Sequence, residues 1–143
     1  MKDLLYLYRV AEKKNIPVLP FSLPENGSLC YQDEYRNCYI GMDTAVLDGA
    51  AQERTHLSHE LGHCVKGAFY NRYASRDVRQ KHENRADKWA IQKLVPVQEL
   101  DCAIAAGHTE IWDLAEHFGV TEEFMKKAVC WYVHGNLSAE LYF

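Results

Sequence analysis

The densest chemistry in the chain lies in Thr55-His56-Leu57-Ser58-His59-Glu60-Leu61-Gly62-His63-Cys64. Within it, His59-Glu60-Leu61-Gly62-His63 reads H-E-x-x-H. Histidines four apart on a helix stand about one turn from each other on one face, the separation at which two imidazoles converge on one Zn²⁺. Glu60 projects beside the pair, placed to hold and deprotonate a metal-bound water instead of filling a coordination position. Leu57, Leu61, Cys64 and Val65 fall at i, i+4, i+7 and i+8 and form the core stripe of this helix. His59 and His63 lie nearly opposite that stripe. The competing reading is a pair of solvent histidines on an ordinary polar face.

Glu83-Asn84-Arg85-Ala86-Asp87 places a second pair of carboxylates four apart, on one face of the next expected helix. A catalytic zinc takes three protein ligands and keeps an open position, so Glu83 fits as the third ligand. Asp87 fits as the acceptor of a histidine N–H, which would set that ring's tautomer. Ala86 and Ala90 are small and let the two helices approach. Gly62 costs a helix on the order of 1 kcal/mol relative to alanine, which implies close approach of another segment or of substrate. Against this stands an exposed acidic face on a helix that also carries Lys81, Arg85 and Lys88. Manganese or cobalt would suit the same ligands as zinc.

Other polar residues are placed around this group. His56 is one turn before His59 but does not bracket Glu60, and is read as an outer partner or a surface group. His82 points away from Glu83 and is read as surface. An oxyanion donor is expected among Tyr70, Arg72 and Tyr73, in the loop between the two helices, with Tyr73 preferred.

His59-Glu60-Leu61-Gly62-His63, followed by His82-Glu83-Asn84-Arg85-Ala86-Asp87, resembles the ImmA/IrrE family of metallopeptidases, a gluzincin arrangement. The resemblance runs from the strands before the first motif to Thr121–Tyr132. It implies a zincin-like fold, zinc held by His59, His63 and Glu83, and Glu60 as general base. It also implies a protein substrate: a helix-turn-helix transcriptional repressor of the kind that phages and mobile elements carry. Members often have Asn where this chain has Asp87, and either side chain accepts from an imidazole. A different class of function is a catalytically idle, metal-stabilised module that binds a repressor or antitoxin. Such a module has no need of a base beside the metal.

The elements that must position these residues follow from pattern and composition. At 143 residues and 48% apolar, the chain is expected to form one domain over residues 1–143. Leu4, Leu7, Tyr8 and Ala11 predict an amphipathic first helix ended by Pro17. Val18–Leu23, Ser28–Tyr31 and Asn37–Met42 predict three short antiparallel strands, the last offering an edge to a substrate strand. Helices are then expected over Ala50–Lys66, Val78–Val95, Val97–Ala106, Thr109–Phe118 and Thr121–His134, with a loosely docked tail. The fold class is α+β: a mostly helical, zincin-like single domain with a small three-stranded antiparallel sheet.

Leu114–Thr121 reads like the turn of a helix-turn-helix, yet the following helix opens with Glu122-Glu123 where phosphates would sit. With a net charge of -4, that makes nucleic acid an unfavourable partner and leaves the helix pair for packing or protein docking. No stretch approaches the length of a membrane span, and a cytoplasmic location is expected. Five cysteines without paired short spacings read as reduced thiols, Cys64 among the inert ones, with Cys30 and Cys38 facing across a hairpin as the conceivable pair.

Overall fold

Asp3 accepts the amide of Leu5 at 3.1 Å and starts α1, Leu4–Lys13, which buries Leu7 and Ala11. The helix stops before Pro17: Asn15 adopts φ 55°, a left-handed conformation that asparagine tolerates better than most residues. The computed structural model describes all 143 residues, Met1–Phe143.

Three strands follow: β1 (Val18–Pro20), β2 (Ser28–Gln32) and β3 (Cys38–Met42). The sheet is mixed, and in this it departs from the antiparallel expectation. β3 lies in the middle, antiparallel to β2 (Cys30 opposite Ile40) and parallel to β1 (Val18 opposite Ile40). Composition accounts for the order. Pro20 in β1, like Pro17 before it, has no amide hydrogen and suits an edge. β3 has no proline and buries Ile40, Gly41 and Met42, as a central strand does. Residues 37–42 therefore offer no free edge for a substrate strand, and the sheet ends at β1 and β2.

Six helices make up most of the chain. After α1 come α2 (Gly49–Lys66), α3 (Arg76–Leu94), α4 (Val97–Ala105), α5 (Ile111–Phe118) and α6 (Glu122–His134). Gly67 ends α2 at φ 59°, and the Ser75 hydroxyl caps α3 by accepting the Val78 amide. A single 3₁₀ turn, Ala139–Leu141, closes the chain, with Tyr142 stacked on His134.

α2 and α3 meet at Gly62. A Cβ there would lie 2.5 Å from the Ala86 carbonyl oxygen and 2.9 Å from its Cα, closer than atoms pack. The contact is backbone on backbone, so only glycine permits it. On its other side α2 lies along β2, and one continuous core runs from Leu7 through Ile40, Leu57 and Leu61 to Ile91, Phe118 and Met125. The turn between α5 and α6 docks on α2: Arg54 donates to the Gly119 carbonyl and the Thr55 hydroxyl accepts the Thr121 amide.

The cysteines depart from the reading as free thiols. Cys38 of β3 and Cys64 of α2 form a disulfide across 26 residues, tying the central strand to the last turn of α2. Cys30, Cys102 and Cys130 are free. No helix is long and apolar enough to cross a membrane.

Candidate metal centre

Two helices supply the centre. α2 presents His59, Glu60 and His63, and α3 presents Glu83 and Asp87 from the far side of the Gly62–Ala86 contact. His59 Nε2 and His63 Nε2 lie 3.1 Å apart, and Glu83 Oε2 is 2.9 Å from the first and 3.0 Å from the second. Each imidazole donates its other nitrogen's proton outward. His59 Nδ1–H goes to Asp87 Oδ1 at 2.7 Å, and His63 Nδ1–H to the Ala68 carbonyl at 2.6 Å. Both Nε2 atoms are thereby directed at the same point as Glu83 Oε2.

This donor set fits a tetrahedral metal such as zinc. With bonds of about 2.0–2.1 Å, such an ion holds neighbouring ligand atoms about 3.3 Å apart. The three atoms need open by only a few tenths of an ångström. His59, Glu60 and His63 also offer ligand atoms that all lie within 4.8 Å of one another.

Protons hold the metal-free cluster together. Burial works to lower the His59 pKa, but hydrogen bonds to Asp87 and Glu83 overcome it and raise the imidazole to about 10. His63 is raised in the same way, against burial, by Glu83 and the Ala68 carbonyl. Glu83 is driven well below the usual carboxylate range: burial opposes this, and hydrogen bonds from His59, His63 and Tyr70 outweigh it. Asp87, buried, is lowered against that burial by His59 and by Lys127. A cation between two imidazoles and two carboxylates is what these shifts favour, and a metal ion meets the same demand.

Glu60 stands apart from this network. It is 7% exposed and bonds to neither histidine; its Oε2 accepts from the Ser28 hydroxyl of β2 at 2.7 Å. The same hydroxyl is 2.8 Å from His56 Nδ1. His56 is thus tied to the Glu60 side of the helix and is no competitor for the metal.

In the loop between α2 and α3, Tyr70 reaches the cluster and Tyr73 does not. The Tyr70 hydroxyl donates to Glu83 Oε1 at 2.7 Å, and that bond raises its pKa to about 12. Its ring stacks on His82, which is half-buried against it instead of lying on open surface. Tyr73 is 80% exposed, with its hydroxyl accepting from Arg72. Lys127 of α6 donates to Asp87 Oδ2 at 3.2 Å, so the C-terminal helix pair, expected only to pack or dock, completes the chain Lys127–Asp87–His59.

A family model for the Peptidase M78, IrrE N-terminal-like domain matches residues 11–129. The chain belongs to that family. Comparison with curated proteins and with solved structures finds no match. Membership in the IrrE N-terminal-like family and the His-Glu-x-x-His group together make this a metallopeptidase-type module that carries a candidate metal site. Ser28, Tyr70 and Lys127 lacked a strong sequence signal. Tyr70 and Tyr73 share one irregular loop, where no periodicity says which ring turns inward, and Lys127 resembles any exposed lysine on a helix.

Proposed function

We propose that this protein is a zinc-dependent endopeptidase whose substrate is a helix-turn-helix transcriptional repressor encoded nearby on a phage or mobile element. The observation that carries the reading is the separation of roles among three carboxylates. Glu83 converges with both imidazoles, Asp87 holds one of them from behind, and Glu60 lies buried beside the cluster without joining it. A metal held only for structure has no use for that third carboxylate.

His59 Nε2, His63 Nε2 and Glu83 Oε2 would hold the ion. When bound, it would supply Lewis-acid chemistry, lowering the pKa of a coordinated water and polarising the scissile carbonyl. Glu60 takes the attacking water's proton and returns it to the leaving amine. Asp87, braced by Lys127, keeps the His59 ring turned toward the site. Tyr70 is the loop residue placed to donate to the developing oxyanion, since its hydroxyl already lies at the cluster. The β2 edge, which runs beside α2 and exposes Leu29 and Tyr31, suits an extended substrate better than the buried β3.

Glu60→Gln tests this reading. The substitution conserves shape and leaves all three ligands, so zinc stays bound, while loss of the base lowers cleavage by about 10²–10⁴. Wild type and variant are incubated with zinc and the helix-turn-helix protein encoded beside this gene, and its integrity is followed by mass spectrometry. Equal cleavage by both would remove Glu60 from the mechanism. An intact partner with the fully loaded wild type would remove the peptidase.

A further inference from the structure

Ser28 is a polar residue at the first position of β2 with 7% of its surface exposed. A buried hydroxyl is costly unless bonded, and this one makes two contacts, to Glu60 Oε2 at 2.7 Å and to His56 Nδ1 at 2.8 Å. Proton inventory settles their direction. A hydroxyl has one proton and a carboxylate has none, so Ser28 donates to Glu60 and accepts from His56 Nδ1–H. The chain of bonds crosses from sheet to helix: Ser28 is held in register opposite Met42 of β3, whereas His56 and Glu60 lie one turn apart on α2.

We propose that Ser28 and His56 are positioning residues for the general base, with His56 orienting the Ser28 hydroxyl and Ser28 fixing the Glu60 carboxylate through Oε2. Oε1 is then the oxygen left to take a proton. Glutamate has three side-chain torsions, and neither imidazole of the cluster bonds to Glu60, so its aim depends on this outer partner. Cys30, two residues along on the same face of β2, also faces Glu60: burial, then the Glu60 charge and a hydrogen bond to that carboxylate hold its thiol above its ordinary range. Its thiol is a weaker donor than a hydroxyl, so Ser28 supplies the directional bond. The kinetic consequence rests on the peptidase reading. The hydrogen-bond chain does not.

The test uses the zinc-loaded protein with Ser28→Ala and Ser28→Thr, each in the native and Glu60→Gln backgrounds. Three quantities are read: zinc per chain, the His56 tautomer by imidazole ¹⁵N NMR, and hydrolysis of a mixed-sequence quenched fluorogenic peptide library. Ser28→Ala should keep its zinc and lose the His56 Nδ1–H tautomer. It should also lower kcat by about 10- to 100-fold, the scale of a hydrogen bond to a charged group, with little change in KM. Ser28→Thr should restore tautomer and rate together. In the Glu60→Gln background, Ser28→Ala should cost nothing more.

Unchanged kcat in Ser28→Ala, loss of zinc with it, or equal losses in both backgrounds would overturn the proposal. Should the loaded wild type cut no peptide, the peptidase reading falls, and the tautomer decides alone. Its loss in Ser28→Ala and return in Ser28→Thr upholds the chain of bonds, and an unmoved tautomer overturns it.

Discussion

The two faces of α2 treat their carboxylates in opposite ways. Toward α3, Glu83 is gripped by His59, His63 and Tyr70 and sits among groups that act as cations, so its charge is strongly favoured. Toward β2, Glu60 is better shielded from water, 7% exposed against 32% for the Glu83 side chain, and meets a neutral hydroxyl and a thiol. Two glutamates only a few ångströms from the same pair of imidazoles thus differ in what they can do. One is bonded by two imidazoles and a phenol, and the other accepts from the Ser28 hydroxyl. Partners decide the role, and residue type does not.

The sharpest way to break this comparison is to remove each carboxylate and weigh the metal. Glu83→Gln should weaken zinc by well over about 100-fold in competition with a chromophoric chelator, more than the roughly 10–100-fold expected for Asp87→Ala, which removes only an outer partner. Glu60→Gln should leave affinity nearly unchanged. Equal losses for Glu60→Gln and Glu83→Gln would mean that both are ligands and that the two faces do not differ.

A smaller effect is expected at the seam that brings α3 to α2. Gly62→Ala sets a methyl 2.5 Å from the Ala86 carbonyl, against backbone that has no rotamer with which to yield. Overpacking of this kind costs about 1–3 kcal/mol, read as a lower urea midpoint of the metal-free protein, and zinc affinity should fall with it as Glu83 is pushed outward. Wild-type stability and affinity in Gly62→Ala would show that the helices are not held at that contact.

The smallest effect is one of pH, and it sharpens the account of how protons stand in for the metal. His59 rises from its ordinary 6.5 to about 10 in the folded chain, so its contribution is full below pH 6.5 and lost as pH rises toward 10. Glu83 and Asp87 are depressed, so theirs is present above about 4.5 and lost as pH falls. With chelator present, the urea midpoint should be highest near pH 5–6.5 and lower at pH 9.5. Exposure of the His59 and Glu83 side chains to solvent keeps the change modest. A midpoint that rises between pH 6.5 and 9.5 would contradict the cationic cluster.

Much of the site was legible in residue spacing. His59 and His63 at i and i+4, and Glu83 and Asp87 at the same interval, place each pair on one helix face whatever the tertiary fold. The structure joins the two faces at Gly62 and Ala86, the small residues that spacing had singled out. Less legible were the partners that come from elsewhere. Ser28, Tyr70 and Lys127 belong to a strand, an irregular loop and a distant helix, and none is marked by a repeat or a motif. The strand segments were recognisable as strands, but their order was not, and the substrate edge assigned to residues 37–42 fell on the central strand. Cys38 and Cys64 lie 26 residues apart, so nothing local could pair them.

The sequence by itself determined the helices to within about two residues at their ends, Leu57 and Leu61 as core positions of α2, and the positions of the candidate ligands. An α-helix is built from i to i−4 hydrogen bonds and caps, all within reach of a short stretch of chain. Only the tertiary structure decided the mixed sheet, the disulfide, and which hydroxyl, phenol and ammonium reach Glu60, Glu83 and Asp87. Those contacts join residues up to 40 positions apart, as Lys127 and Asp87 are, and their energy is gained only when packing has already brought the segments together.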